Sequence, residues 1–304
     1  MGALEDVGRA VSEAAEKAGG SVVGIGHRWA RGSGVVVADG KIVTNAHNVR
    51  DGSVGVTFGD GRTAEGTVSG IDPDGDLAVV SVDTGDASPI AWAEEGASSP
   101  GTPVVALANP GGRGLRVTFG LISGTERSFR GPRGRRIAGS IEHTAPLPRG
   151  SSGGPIVDGE GRLLGINTNR TGEGFYLAIP ADNALRERID ALSRGDFRAA
   201  PRLGVGIAPP FVARRLRRAV GLPEAEGLLV RAVEEDSPAA RAGIEPGDLI
   251  VEANGREARS ADDLYEALES AAAGGSLTLK VIRGTEERSV SVSLAASGPT
   301  AERA

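Results

Sequence analysis

Between Ser21 and Pro180 the chain alternates short apolar runs with clusters of Gly, Pro, Asp and Asn: SVVGI, GVVVA, KIVTNA, VGVTF, LAVVSV, PVVALA, RVTFGLISG and PIVDGEGRLLGINT. Short apolar runs closed by turn-forming residues read as β-strands, and no helical periodicity comes between them. Such a series predicts antiparallel barrels or a sandwich rather than a parallel sheet with crossover helices, and barrels fit better. After Pro180 the period changes. ADNALRERIDALSR puts Ala184, Leu185, Ile189 and Leu192 near one helical face, as in an amphipathic helix that closes a domain.

From Arg202 the texture is that of a small mixed domain. LGVGI and GLLVRAV read as strands. SPAARAG reads as a short helix with Ser237 as N-cap, Pro238 in the first turn and Gly243 as C-cap. LIVEANGREA supplies a strand and an Asn254-Gly255 turn, and SADDLYEALESA a helix whose Ser260 and Asp263 have capping-box spacing. Two alternating strands, SLTLKVIR and RSVSVSL, complete it. The organisation expected is an N-terminal segment 1–20, a first domain 21–195, a linker 196–201, a second domain 202–295 and a disordered tail 296–304.

Composition narrows the classes. A chain of 304 residues has room for two cores, and 47 glycines with few aromatics suit many tight turns. The formal net charge of −6 gives no reason to expect nucleic acid as a partner. There is no cysteine, which excludes disulfides, thiolate nucleophiles and cysteine-ligated zinc. No run is long and apolar enough for a membrane span, and the acidic, Gly-broken start lacks a secretory signal pattern. A complete chain would then be cytoplasmic; a chain that has lost a leader would act outside the cytoplasm.

Only three histidines are present, His27, His47 and His143. His47 ends the strand-like run KIVTNAH, which sets it at a barrel mouth, where a ring can face a cleft. GSSGGP at 150–155 flanks Ser152 with glycines that let the chain turn sharply and aim N–H groups at one point. Acyl transfer needs such donors for the developing oxyanion. Ser152 as nucleophile, His47 as general base, and the N–H groups of Gly150 and Ser152 as oxyanion donors form one consistent set. In DPDGDLAVV, Asp76 stands just before an apolar strand, where a carboxylate can orient the imidazole, whereas Asp72 and Asp74 read as solvated turn residues. Taken singly, His47 also reads as a structural histidine and GSSGGP as a hairpin turn.

The order TNAH, DLAV, GSSGGP, GINT and LAIP resembles the HtrA/Deg family of serine proteases, from Ser21 to about Leu294. The resemblance implies a mainly β chain, a chymotrypsin-like double antiparallel β-barrel followed by a small α+β PDZ domain. It implies a catalytic triad of His47, Asp76 and Ser152, an oxyanion loop containing Gly150, Ser151 and Ser152, and no metal or cofactor. ANP at 108–110 and TFGLIS at 118–123 would belong to the second barrel. Arg202-Leu203-Gly204-Val205 resembles the PDZ carboxylate-binding loop, with Leu264, Ala267 and Leu268 either walling the peptide groove or belonging to the core. TERSFRGPRGRR would be a long regulatory loop, with Arg127 relaying activation. The partners implied are polypeptide substrates, peptide C-termini and two further copies in a homotrimer. Pro148-Arg149 departs from the family's Asn-Pro, and Thr144 from its Asp. A proteolytically silent peptide-binding scaffold or holdase and a small-ester hydrolase are the competing functions.

Overall fold

The computed structural model describes residues 2–26, 32–49, 52–130, 136–172, 174–196, 202–208, 210–223, 225–272 and 275–294. His27, most of the linker and the C-terminal tail lie outside these. The chain divides into two compact units, Met1–Ala199 and Ala200–Ala304.

The first unit holds two closed six-stranded barrels, antiparallel throughout. β1 (Val22–Ile25), β2 (Gly32–Ala38), β3 (Lys41–Thr44), β4 (Ser53–Thr57), β5 (Thr63–Asp72) and β6 (Leu77–Ser81) form one. β7 (Pro103–Ala108), β8 (Arg116–Arg130), β9 (Arg136–His143), β10 (Pro155–Val157), β11 (Leu163–Gly172) and β12 (Phe175–Pro180) form the other. Successive side chains of a strand point to opposite faces. Here neighbours such as Val35/Val36, Ile42/Val43 and Val79/Val80 feed two different cores: Val36, Ile42 and Val80 fill the first barrel, while Val35, Val43 and Val79 pack between the barrels against Leu107, Val157 and Ile166. Burial on both faces is why these strands read as continuous apolar runs rather than alternating ones.

Two helices seal the inter-barrel core. α1 (Ala3–Gly19), which the sequence pattern did not single out, inserts Ala14 and Ala18. α2 (Asn183–Arg194) buries Leu185, Ile189 and Leu192, is capped by the Asp182 carboxylate on the Leu185 N–H (2.8 Å), and ends at Gly195. Ala184, expected on the packed face, is exposed, one position outside the buried stripe. The segment TERSFRGPRGRR is not wholly a loop either: β8 runs to Arg130 and β9 starts at Arg136, and 131–135 lie outside the described residues.

In the second unit β13 (Val205–Ile207), β14 (Leu228–Val233), β15 (Leu249–Ala253), β17 (Ser276–Arg283) and β18 (Glu286–Ser293) form a sheet in that order, with β16 (Arg256–Glu257) paired to β15. β13 is an edge strand, bonded to β14 alone. Three helices accompany the sheet: α3 (Pro210–Ala219), α4 (Pro238–Arg241) and α5 (Ala261–Ala272). The local signals act as read. Ser237 accepts the Ala240 N–H, and Ser260 and Asp263 exchange side-chain-to-backbone bonds of 3.3 and 2.7 Å. Asn254 and Gly255 both take positive φ, as a two-residue hairpin turn requires.

Candidate active site

The site sits where the two barrels meet. His47 lies on the short 3-10 turn Ala46–Asn48 that follows β3, Asp76 immediately precedes β6, and Ser152 precedes β10. Asp76 is held with φ +51° and is buried, and Asn45 Nδ2 donates to its carbonyl at 2.9 Å. Its carboxylate lies 2.8 and 2.9 Å from His47 Nδ1, accepts the His47 backbone N–H at 3.2 Å, and accepts the Thr168 hydroxyl at 2.6 Å. With Nδ1–H pointed at a carboxylate, the neutral imidazole keeps Nε2 as a bare base. His47 remains about a third exposed, while Asp76 is 2% exposed.

The chain around Ser152 is anchored from both barrels. Its carbonyl accepts the Ser33 N–H (2.9 Å) and Asn48 Nδ2 (2.8 Å), and Gly153 N–H donates to the Asn167 carbonyl (2.8 Å). Gly153 has φ +88°, and a Cβ there would lie 2.1 Å from the Ser33 carbonyl oxygen, so no other residue fits this turn. Ser33 Oγ donates to the Gly150 carbonyl at 2.8 Å and fixes the preceding peptide. Ser151, expected in the same loop, has its N–H turned to the Pro148 carbonyl (3.2 Å). The N–H groups of Gly150 and Ser152 make no hydrogen bond among the described residues. Ser152 Oγ donates to the Thr168 carbonyl at 3.3 Å rather than to His47.

The rival carboxylates are not solvated, contrary to expectation. Asp72 accepts the Gly75 N–H (2.9 Å) and pairs with Arg188 (2.5 Å), and both Asp72 and Asp74 are buried. Arg127 lies on β8, half-exposed, 3.6 Å from Glu142 on β9. Thr144 is tied to β8: its N–H donates to the Leu121 carbonyl and its hydroxyl accepts the Leu121 N–H, both at 3.0 Å. Ser33 and Asn48 had no part in the expected site, and Asn167 and Thr168 were expected only as pocket lining; all four act through the backbone or across the sheets, where no local motif marks them.

His143 is wholly buried, with Nε2 2.9 Å from Asn167 Oδ1, its ring stacked on Tyr176, and Nδ1 unpartnered. Burial lowers its pKa to about 4, the Asn167 bond opposing. An unfolded histidine protonates near 6.5, so between about pH 6.5 and 4 the unfolded chain binds the extra proton and stability falls as pH falls. The loss amounts to about 3 kcal/mol across that window. His143→Gln, which cannot titrate, should flatten this part of the pH–stability curve. Urea midpoints at neutral and mildly acid pH would measure it, and an equal acid loss in the variant would contradict the assignment.

In the second unit the Leu203 and Gly204 N–H groups make no hydrogen bond among the described residues, while their carbonyls accept from Ala239 and Glu234. Gly204 has φ +79°, and a Cβ there would strike Ser237 at 2.2 Å. Val205 is half-buried. Leu203, Leu264 and Leu268 pack together in the core, each no more than 4% exposed.

Paired six-stranded barrels with a histidine–carboxylate pair facing a glycine-flanked serine define a trypsin-like serine peptidase domain. The trypsin-like peptidase family matches residues 32–166, and the PDZ domain family residues 229–283. The chain is 34% identical to the putative serine protease HhoB of Synechocystis over 273 residues, 86% of this chain and 65% of that protein. It is 33% identical to a probable periplasmic serine endoprotease, DegP-like, of Brucella suis, over 88% of this chain and 53% of that protein. The chain thus spans between half and two thirds of these curated relatives. The solved HtrA-type protease AlgW with a decapeptide superimposes with a TM-score of 0.66 and 25% identity, covering 95% of this chain and 99% of that one. The chain thus carries a trypsin-like peptidase domain and a PDZ domain, and the proteins it is similar to are DegP-like and HtrA-type serine proteases.

Proposed function

We propose that the chain is a serine endopeptidase that cleaves unfolded or exposed polypeptide through an acyl-enzyme. The observation that carries this reading is the grip of Asp76 on His47 Nδ1 at 2.8 Å beside a serine turn whose two flanking amides are unengaged. Rotation about the Ser152 Cα–Cβ bond frees Oγ from Thr168 and turns it towards His47. Oγ then attacks the scissile carbonyl as its proton passes to His47 Nε2, and Asp76 stabilises the imidazolium. The Gly150 and Ser152 N–H groups receive the oxyanion. Collapse breaks the C–N bond with transfer of the proton to the leaving amine, and water, deprotonated by His47, releases the acyl group. Efficient turnover of small esters with no cleavage of casein would point to the small-ester reading instead.

The subsite for the side chain before the scissile bond should take Val, Ala, Ile or Leu. Ala145 to Pro148 and Ile166 to Thr168 offer no carboxylate to a basic side chain, and Arg149 and Arg170 lie nearby. Mapping of casein fragments checks this; dominant cuts after Lys or Arg would rule it out.

In the PDZ domain, the free amides of Leu203 and Gly204 suit a peptide carboxylate, and the open edge of β13 suits an added strand. AlgW, which the chain is similar to, was solved with a decapeptide, and that likeness favours peptide binding by this chain. The packed positions of Leu264 and Leu268 leave Val205 and the half-buried Ala267 as the more accessible groove residues. We assign the domain a regulatory role: a bound C-terminus favours the oxyanion-competent loop, with Arg127, through Glu142, as relay. A coupling of about 1–3 kcal/mol would give roughly 5- to 150-fold activation. Cleavage rates with and without saturating peptide, in the intact protein and in Arg127→Ala, test this; equal rates in the intact protein would reduce the domain to a substrate tether.

A homotrimer is the assembly implied by the family. The exposed apolar residues Val117, Phe119 and Leu121 along β8, with Leu115 just before it, are a suitable contact face. The Brucella relative's name places that protein in the periplasm, and an extracytoplasmic site of action for this chain rests on that likeness.

A further inference from the structure

Helix α3 carries Arg214, Arg215, Arg217 and Arg218 and no acidic residue. Arg217 turns inward: it is buried, and its Nε and Nη2 donate to the Pro223 carbonyl at 3.2 and 3.1 Å. Ala213, on the same side, packs against Ala208, Leu229 and Leu249. The opposite face presents Phe211, Arg214, Arg215 and Arg218, which with Ala219 line an open cleft of about 400 Å³. Phe211 is 67% exposed, and Val220, just past the helix end, 71%. Arg214 and Arg215 take part in no ion pair among the described residues. A protein of net charge −6 thus gathers cations around an exposed aromatic ring.

We propose that this face of α3 docks on a membrane surface rich in anionic phospholipid. Arg214 and Arg215 meet headgroup phosphates, and Phe211 enters the boundary with the acyl chains. An acidic polypeptide would match the arginines but leave Phe211 and Val220 in water. An exposed basic patch with an aromatic ring beside it combines the two attractions of an anionic membrane surface, charge to the headgroups and apolar contact at the boundary. The acidic remainder of the molecule is repelled by such a surface, so attachment is local to this patch and falls with ionic strength.

The test is sedimentation of the intact protein with vesicles of phosphatidylglycerol and phosphatidylcholine in equal parts, against vesicles of phosphatidylcholine alone. Binding should be confined to the anionic vesicles, weaken with salt, and fall by about 30-fold or more in Arg214→Glu/Arg215→Glu. Phe211→Ser should weaken binding and leave its salt dependence unchanged. Unaltered unfolding midpoints in the variants separate lost docking from lost fold. No binding to anionic vesicles, equal binding by the charge-reversed protein, or binding of polyglutamate without vesicle binding would each overturn the proposal.

Discussion

Alanine at position 152 should lower casein cleavage by on the order of a million-fold while leaving the protein folded. The substitution deletes one oxygen, whose single hydrogen bond among the described residues is a 3.3 Å contact to the Thr168 carbonyl. The bonds that shape the turn, from Ser33 N–H and Asn48 Nδ2 to the Ser152 carbonyl, involve only the main chain of residue 152. Stability should therefore change by no more than about 1 kcal/mol. Because triad members act as a unit, His47→Ala should be comparably severe and add little in the double variant. Rates of the purified proteins on casein check this; undiminished cleavage by Ser152→Ala would remove the nucleophile assignment.

Asp76→Asn should reduce kcat by about 10,000-fold, a magnitude taken from the general behaviour of such triads rather than from this protein. The carboxylate accepts from His47 Nδ1, the His47 backbone N–H and the Thr168 hydroxyl. An amide has one acceptor oxygen in place of two. With its NH2 facing the ring it turns Nδ1 into an acceptor and places the proton on Nε2, where Ser152 needs a base. Asparagine tolerates the positive φ that Asp76 adopts, so the fold should survive. Asp72→Asn is the control: it weakens the ion pair to Arg188 and should lower stability with little effect on kcat. A rate loss in Asp72→Asn and none in Asp76→Asn would reverse the two carboxylates' roles.

The double barrel was legible because its central strands are buried on both faces, so β2, β3 and β6 stand out as apolar blocks. β5 and β9 escaped notice. Thr63–Asp72 is rich in Gly, Thr and acidic residues, and Arg136–His143 is interrupted by Ser and Gly; pairing with neighbouring strands, not local pattern, makes them strands. α1 was hidden by its packing through small alanines, and α3 by a charge pattern that buries one arginine and exposes the rest. His47, Asp76 and Ser152 were visible because each lies in a local motif. Their supports were not, because Thr168 reaches Asp76 across 92 residues and Ser33 reaches Gly150 across 117. The burial of Asp72 has a similar origin, in a partner, Arg188, that belongs to a helix 116 residues away.

The most direct test of the protease assignment is labelling by a fluorophosphonate probe, which requires an activated serine and a working oxyanion site together. The account predicts one labelled residue, Ser152, identified by peptide mass. Labelling should be lost in Ser152→Ala and His47→Ala and accelerated by a peptide bound to the PDZ domain. Absence of labelling in the intact protein with and without that peptide, or labelling that persists in Ser152→Ala, would contradict it.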